Sequence, residues 1–272
     1  MADRLCGLTN TYHTYSLEES LAGIAKAGFT SVKLASVPGW TEHVRRSAED
    51  EELAHVKDLL VQHGLTAVSL AGHSDLVAEA GIGEFRKALQ IAQKLGIPYV
   101  TTSTGGHDAS SGGSLEEQRD HFLRNIRPLA DEAAAMGITI CLETHGGLLA
   151  TGAISKKLIQ DIGKENIGIN YDPGNVIHYG GVKPEEDIQE SADYVKHMHC
   201  KDQIGGKGVW NFPTVGTGEV DFAPIFAALD AAGFDGPVSI EIEFTGEPWP
   251  PLAEVDQAMA DSYRFVRQFV GD

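Results

Sequence analysis

Cysteine is scarce in this sequence of 272 residues, which contains three: Cys6, Cys141 and Cys200. The number is odd and no Cys-x-x-Cys pair occurs, so a disulfide framework is not expected. Two of the three lie in apparent strands. We therefore expect reduced core cysteines in a cytoplasmic protein.

Long apolar runs are also missing. No segment approaches the ~18 consecutive apolar residues that a membrane helix needs. The first ten residues, MADRLCGLTN, lack the apolar core of a signal peptide. The sequence predicts no membrane partner and a cytoplasmic location.

Positive charge is under-represented. Lys and Arg number 21 against 39 Asp and Glu, which gives a formal net charge of -18. So acidic a surface repels phosphate backbones, and nucleic acid is not expected as a partner. No arginine cluster suggests a phosphate site, because Arg45 and Arg46 are expected to be solvated in a loop or helix start. An unphosphorylated ligand is preferred.

The chain instead alternates short apolar runs with longer amphipathic segments. Apolar runs predict eight strands, at 5–8, 29–35, 65–71, 97–102, 138–143, 167–171, 194–199 and 238–242. Amphipathic segments predict eight helices, at 16–27, 48–63, 83–95, 115–136, 155–162, 184–191, 222–232 and 252–270. The first helix opens with the capping-box pattern Ser16-Leu-Glu-Glu19, and a glycine follows most of the helices.

Eight strand–helix units predict an α/β protein with a parallel sheet, closed as a single (β/α)8 TIM barrel that occupies residues 1–272 as one domain. The alternative is a doubly wound open sheet. That fold usually has a glycine-rich phosphate turn after its first strand, whereas here the turn reads LTNTYHT, without glycine.

The last four predicted strands carry polar groups toward one end of this barrel. Side chains alternate with period two, so each strand sends an acid or an imidazole inward near its carboxyl end, where barrel enzymes place their active sites. The inward residues there are Glu143 and His145, Asp172, His197 and His199, and Glu241 and Glu243. Three buried carboxylates without a cation would cost many kcal/mol. A divalent metal ion resolves that conflict, and oxygen ligands with one imidazole suit manganese, magnesium, iron, cobalt or zinc.

Four segments, ETHGG (143–147), NYDPGN (170–175), HMHCKD (197–202) and IEIEF (240–244), resemble the xylose-isomerase-like TIM-barrel superfamily. That superfamily contains sugar isomerases, ketose 3-epimerases, inosose isomerases and dehydratases, and endonuclease IV. The resemblance covers nearly the whole chain in strand order and spacing. It implies four metal ligands: Glu143, Asp172, His199 and Glu241.

The same resemblance chooses between neighbouring candidates. It prefers His199 over His197, because His199 stands three residues before Asp202. It prefers Glu241 over Glu243, because the ligand follows the pair Ser239-Ile240.

The activity that this resemblance implies is that of a divalent-metal-dependent sugar isomerase or epimerase, with manganese favoured. Its substrate would be a ketose, an inosose or a related sugar, reacting through a metal-stabilised enediolate. Glu143 and Glu241 would move the substrate proton. The endonuclease branch needs further metal ligands, for which His73 and His107 lie near suitable strand ends, but the net charge of -18 opposes DNA binding.

His145 leaves the reaction type open. It points the same way as Glu143, and the ketose epimerases of this superfamily do not require it. A neutral imidazole there could act as the base of a lyase or dehydratase on 3-keto sugars or 3-keto-glycosides. The alternative is a histidine that simply hydrogen-bonds at a strand end. A third class, a non-catalytic sugar-binding barrel, would have no need of two proton-moving carboxylates.

Four further residues are substrate-binding candidates: Lys201, His178, Trp210 and Lys33. Each has a structural alternative. Lys201 could pair with Asp202 or another acid, Lys33 could neutralise buried negative charge, and His178 could pack in its loop.

Two loops complete the predicted mouth. Trp210 and Phe212 belong to the segment 205–222, which is expected to serve as a lid or to pack on the rim or a neighbouring subunit. The proline-rich segment 245–251 shapes the mouth or an oligomer contact, which leaves a homo-oligomer open.

Overall fold

The computed structural model describes residues 3–105 and 113–271. It contains a closed barrel of eight parallel strands in chain order. The strands are β1 (Leu5–Leu8), β2 (Ser31–Ala35), β3 (Thr66–Ala71), β4 (Tyr99–Thr102), β5 (Thr139–Glu143), β6 (Ile167–Tyr171), β7 (Val195–Cys200) and β8 (Val238–Ile240). Pairing of Leu5 with Val238 joins β1 to β8 and closes the barrel. The predicted (β/α)8 TIM barrel is confirmed, and the open sheet is excluded.

Helices cover the outside of the barrel, and one three-residue helical turn, α6 (Pro173–Asn175), directly follows β6. The outer helices are α1 (Leu17–Ala27), α2 (Asp50–Gln62), α3 (Glu79–Leu95), α4 (Leu115–Ala135), α5 (Gly152–Ile162), α7 (Pro184–Ser191), α8 (Phe222–Ala231) and α9 (Leu252–Val266). The predicted capping box is present, since Ser16 and Glu19 each accept the other's backbone N–H. Gly28 ends α1 in the left-handed region, at φ 109°. None of the helices in the described part of the chain is long and apolar enough to cross a membrane.

Helix starts differ most from the sequence prediction. α3 begins four residues earlier than expected, at Glu79, because Asp75 Oδ1 accepts the backbone N–H groups of Val77 and Ala78 and turns the chain into the helix. α5 begins at Gly152, because Thr151 Oγ1 caps it by accepting from Ile154 N. At the other end, α9 stops at Val266 rather than residue 270.

Two side-chain layers build the core. In β5, Ile140 and Leu142 are fully buried apolar side chains of the core that packs beneath the helices. Small and polar side chains fill the axis of the barrel, where Lys33 and His197 are also fully buried. The three cysteines are buried and free, as predicted.

Candidate functional site

The four predicted ligand residues converge at the carboxyl end of the barrel. They lie at the ends of β5 to β8 and are buried, and one ligand atom from each lies within 4.8 Å of the other three: Glu143, Asp172, His199 and Glu241. The centre of the cluster is Nδ1 of His199. It lies 2.9 Å from Glu241 Oε2, 3.3 Å from Asp172 Oδ2 and 3.5 Å from Glu143 Oε2. Period two along successive strands therefore places these groups as expected.

Hydrogen bonds fix Glu143 from three directions. Asn175 Nδ2 donates to Oε1 at 3.0 Å, and Asn170 Nδ2 donates to Oε2 at 3.0 Å. His73 Nε2 approaches the same Oε2 at 3.2 Å. Asn175 also caps the cluster, because its backbone N–H donates to Asp172 Oδ1 at 2.8 Å. The carboxylate cannot rotate without losing these partners.

Glu241 is held by the opposite wall. Asn10 Nδ2 donates to Glu241 Oε1 at 3.0 Å and to Glu243 Oε1 at 3.2 Å. Lys201 Nζ lies 2.6 Å from Glu243 Oε2 and 3.6 Å from Glu241 Oε2. Lys201 thus pairs with Glu243, not with its sequence neighbour Asp202. The result is a buried cation beside two carboxylates, of which only Glu241 belongs to the four-residue cluster.

The electrostatics of the cluster follow from crowding in a buried site. Burial raises the pKa of Asp172 to about 6, although Lys201 and His199 act to lower it. Burial and Lys33 act to lower the pKa of His199, but the carboxylates of Glu143 and Glu241 outweigh them and raise it to about 9. Burial would likewise raise the pKa of Glu143, yet the imidazoles of His199 and His73 hold it well below its ordinary value. Negative charge therefore surrounds a single imidazole.

These residues fit a divalent metal ion. Within the described part of the chain, Oε2 of Glu241 is buried and has no hydrogen bond, even though His199 Nδ1 is 2.9 Å away. Three carboxylates and one imidazole form the donor set that manganese, iron, cobalt and zinc accept. A cation held by these four groups would satisfy that oxygen and offset the repulsion among the three acids.

A cavity of about 540 Å³ opens above the cluster. Three of its four members line the cavity, namely Glu143, His199 and Glu241. The predicted residues Lys201 and His145 line it as well. The ring of His145 lies 5.9 Å from that of His73 and 5.0 Å from that of Tyr179, measured between centroids. His145 is thus placed where a ligand could reach it.

The other substrate-binding candidates lie elsewhere. Lys33 is buried inside the barrel, where its Nζ contacts Nε2 of His199 from below, and it does not line the cavity. His178 and Trp210 are also outside the cavity lining. They pack edge to face, 5.7 Å apart, and His178 Nδ1 lies 3.0 Å from Val209 O. The structure therefore groups His178 and Trp210 with the loop after β7. His107 lies outside the described residues.

Hydrogen bonds to Asp202 fix the second half of the loop after β7. Asp202 Oδ2 accepts the backbone N–H groups of Gly216 and Gly218 at 2.9 and 2.8 Å, and Oδ1 accepts that of Val220 at 3.1 Å. Asp202 is itself buried. The carboxylate next to Lys201 thus organises the loop.

Arg46 corrects one expectation from the sequence. It is 5% exposed, not solvated, and its guanidinium donates to the backbone oxygens of Ser36, His73 and Glu84. Arg45 is exposed as expected and pairs with Glu52. Arg46 therefore joins the loops after β2 and β3 to the first turns of α3.

Sequence reasoning did not name Asn10, and it considered His73 only as a further metal ligand of an endonuclease-type site. A signal for both was available, because each stands two residues beyond a cavity-lining residue of its strand, Leu8 or Ala71. Extending the period of two past the strand end would have found them.

Fold and site together define the class: a parallel (β/α)8 barrel with an acidic, histidine-containing cluster at the carboxyl ends of its strands. A family model described as xylose isomerase-like TIM barrel matches residues 21–268. The chain belongs to this family.

Sequence identity to individual relatives is low. The chain is 24% identical to an L-ribulose 3-epimerase of Methylomonas sp. over 241 residues, which cover 82% of this chain and 77% of that protein. It is 26% identical to an inosose dehydratase of Geobacillus thermodenitrificans over 176 residues, 57% of this chain and 54% of that protein. A crystal structure of D-psicose 3-epimerase in the presence of D-fructose superposes with a TM-score of 0.79 at 20% identity, covering 98% of this chain and 99% of that one.

Proposed function

We propose that this protein is a divalent-metal-dependent isomerase or epimerase that moves a proton beside the carbonyl group of a ketose, an inosose or a related sugar. The observation that carries the proposal is the buried convergence of Glu143, Asp172, His199 and Glu241 within 4.8 Å at the floor of a cavity. The names of the related epimerases and dehydratase support a sugar as the substrate.

The four residues of the cluster would hold the ion. When bound, it would supply a Lewis acid that polarises the substrate carbonyl and acidifies the neighbouring C–H bond. We favour manganese because of the family resemblance, since the donor set itself accepts several divalent ions.

Glu143 and Glu241 are the proposed proton-moving groups. They come from β5 and β8, so they approach a sugar in the cavity from different sides. Glu143 is oriented by Asn170, Asn175 and His73, and Glu241 by Asn10. One carboxylate removes a proton from carbon; the other returns a proton to the opposite face, which inverts that carbon. Return by the first carboxylate to the adjacent carbon gives isomerisation instead.

Lys201 is the proposed anchor for a substrate oxygen. Its ammonium group is buried against Glu243 and also lines the cavity. This arrangement fixes the ammonium beside Glu241 without requiring the lysine to reach out from the surface.

The experiment uses the full chain loaded with Mn²⁺ in deuterated water, with a panel of ketoses, inososes and 3-keto-glycosides. Label uptake without loss of water, followed by NMR, is the expected result. Glu143→Gln and Glu241→Gln should each slow exchange by about 10²–10⁴-fold, as removal of a proton-transfer group does. Glu190→Gln alters an exposed carboxylate and serves as the control. Proton exchange at the full rate in both cavity variants would contradict the proposal.

A second candidate, a lyase or dehydratase on 3-keto sugars or 3-keto-glycosides, is favoured by one observation: His145 lines the same cavity as Glu143. Its imidazole would be the base that removes the proton in a β-elimination. In the same panel this reaction would release water or the glycosidic substituent, and His145→Ala would abolish the release. Label uptake without any leaving group favours the isomerase.

Metal analysis distinguishes the two catalytic candidates from a non-catalytic sugar-binding barrel. The proposal expects one divalent ion per chain after reloading with Mn²⁺. A chain that retains no stoichiometric ion would contradict both catalytic candidates.

A further inference from the structure

The cavity has an outer part that the proposed chemistry does not use. Its inner part lies around the four-residue cluster and is formed by residues at the ends of the strands, including His73 after β3. Its outer part is lined by residues 37–40, which follow β2, and by Ser74, Asp75, Gly81 and Glu84, which follow β3. None of these residues belongs to the cluster or contacts its carboxylates among the described interactions.

The volume exceeds what one sugar requires. At the share of volume that liquid water gives to each non-hydrogen atom, about 30 Å³, a hexose fills roughly 360 Å³ as an upper limit. The cavity measures about 540 Å³. A single sugar bound over the cluster therefore leaves the outer part available to a second group.

Trp40 gives this outer part a flat apolar wall. Its indole stacks on the ring of His13, with centroids 4.3 Å apart and an interplanar angle of 22°. One face is covered in this way, yet the side chain remains 44% exposed and lines the cavity. An indole with a free face is a platform for the apolar face of a sugar ring or for an aromatic ring.

The platform is anchored to the interior. His13 Nδ1 lies 2.7 Å from Thr41 Oγ1, and that hydroxyl donates to Asn10 Oδ1 at 2.6 Å. Asn10 in turn donates to Glu241. A continuous series of contacts thus runs from the rim to the proposed proton-moving carboxylate.

The part of the lining that follows β3 is polar and is also fixed. Ser74, Asp75 and Glu84 bring oxygen-bearing side chains to it. Buried Arg46 holds its backbone, donating to the carbonyl oxygens of His73 and Glu84 as well as to that of Ser36 on the Trp40 side. The outer part is therefore a preformed site with one apolar face and one hydrogen-bonding edge.

We propose that this outer part is a subsite for a second ring joined by a glycosidic bond to the reacting sugar. Trp40 stacks on that ring, and the residues after β3 receive its polar edge. The inference rests on the proposed function, and it assigns the substrate class: a glycoside or disaccharide that carries a keto group, in preference to a free monosaccharide.

The kinetic test compares matched substrates with the Mn²⁺-loaded full chain. One pair is fructose and its 4-O-glucosyl derivative; the other set is 3-keto-glucose with its phenyl and glucosyl glycosides. Deuterium exchange beside the ketone is followed by NMR. The two-ring substrates should have kcat/KM about tenfold or more above their one-ring partners. The phenyl and glucosyl arms distinguish an aromatic ring from a sugar ring.

Variants locate the preference. Trp40→Ala should reduce the ratio of kcat/KM for two-ring to one-ring substrates to about one. Trp40→Phe should keep most of the preference for two rings. Trp210→Ala is the matched control, because Trp210 has similar exposure at 37% but lies outside the cavity lining; it should keep the ratio of the unaltered protein. Equal ratios in all the proteins, or a preference that survives Trp40→Ala, would overturn the inference.

A binding measurement separates this inference from the proposed function. Calorimetry with glucose, cellobiose and phenyl β-glucoside, which carry no reactive ketone, needs no turnover. If no substrate exchanges its proton, the proposed function fails, while tighter binding of the two-ring ligands that disappears in Trp40→Ala still supports the subsite. Equal affinity for all three ligands contradicts it.

Discussion

The side-chain amide of Asn10 lies 3.0 Å from Glu241 Oε1, so a residue just beyond the first strand orients a carboxylate that follows the last. The two residues are 231 positions apart, and closure of the barrel brings them together. The same nitrogen also holds Glu243 at 3.2 Å. Asn10 is consequently the residue on which the geometry of this wall depends.

Asn10→Ala should lower Mn²⁺ affinity or proton exchange by about 10–100-fold, as loss of a partner that orients a metal ligand typically does. The reason is that Glu241 Oε1 loses its donor while Oε2 keeps no other hydrogen bond. Metal titration together with exchange kinetics measures both quantities. Unchanged affinity and unchanged exchange would show that Glu241 needs no support.

Removal of metal should destabilise the fold, because the three buried carboxylates then repel one another. Mn²⁺ at a hundredfold excess over its Kd stabilises by about 2.7 kcal/mol. For a chain of this size that raises Tm by roughly 5 °C. A chelated and a reloaded sample, compared by calorimetry, test this expectation.

Asp172→Asn is the matched variant. Its effect on stability should have opposite signs in the metal-free and the Mn²⁺-loaded protein. The metal-free protein should be at least as stable as the unaltered chain, since one of the crowded charges is gone. The Mn²⁺-dependent rise in Tm should shrink or disappear. An unaltered metal response would remove Asp172 from the proposed ligand set.

Two glycines of α3 should respond in opposite directions. A Cβ on Gly81 would lie 1.8 Å from the backbone oxygen of Asp75, so Gly81→Ala should cost about 1–3 kcal/mol of unfolding free energy. A Cβ on Gly83 would meet nothing within 4 Å, so Gly83→Ala should add about 0.5–1 kcal/mol through helix propensity. Urea unfolding measures both. Equal effects would mean that the turn at Asp75 does not pack as described.

Substitutions of the adjacent residues Arg45 and Arg46 should also have clearly different effects on the free energy of unfolding. Arg46→Met leaves the backbone oxygens of Ser36, His73 and Glu84 without their donor, at a cost of about 1–3 kcal/mol. Arg45→Met removes an exposed, solvent-screened ion pair with Glu52 and should leave the free energy of unfolding nearly unchanged. Chemical unfolding of the two variants side by side tests this. A larger loss from Arg45→Met would contradict the structural assignment.

Local patterns in the sequence were sufficient for the barrel. Apolar runs marked all eight strands, and β1 and β6 have the predicted bounds. Where bounds differ, long-range contacts decide them. β8 ends at Ile240, and beyond it Ile242 N donates to Thr11 Oγ1 in the first loop, a partner that no local pattern reveals.

At the candidate site, too, local patterns predict some features and long-range contacts decide the others. Period two and closure of the barrel predict that acids and imidazoles of β5 to β8 meet at one end. They do not distinguish His199 from His197 or Glu241 from Glu243, and only the family resemblance made that choice. The burial of Arg46 and the support of Glu241 by Asn10 depend on how loops fold over the strand ends. His178 and Trp210 look equally suitable as ligand contacts in the sequence, but in the structure they pack against each other outside the cavity lining. The Trp210 ring lies 6.0 Å from Nζ of Lys201, which does line the cavity.

The contacts that connect Trp40, His13, Thr41 and Asn10 have a consequence for how such a protein diverges. All four residues belong to the loops after β1 and β2, whereas the four-residue cluster belongs to β5 to β8 and the residues that follow them. Under the two proposals, substitutions at Trp40, His13 or Thr41 would alter which ligand is accepted. Asn10 differs, because it also donates to Glu241, so a substitution there would change substrate range and reaction chemistry together. The rim residues are therefore free to diverge first, and Asn10 is the position at which that freedom ends.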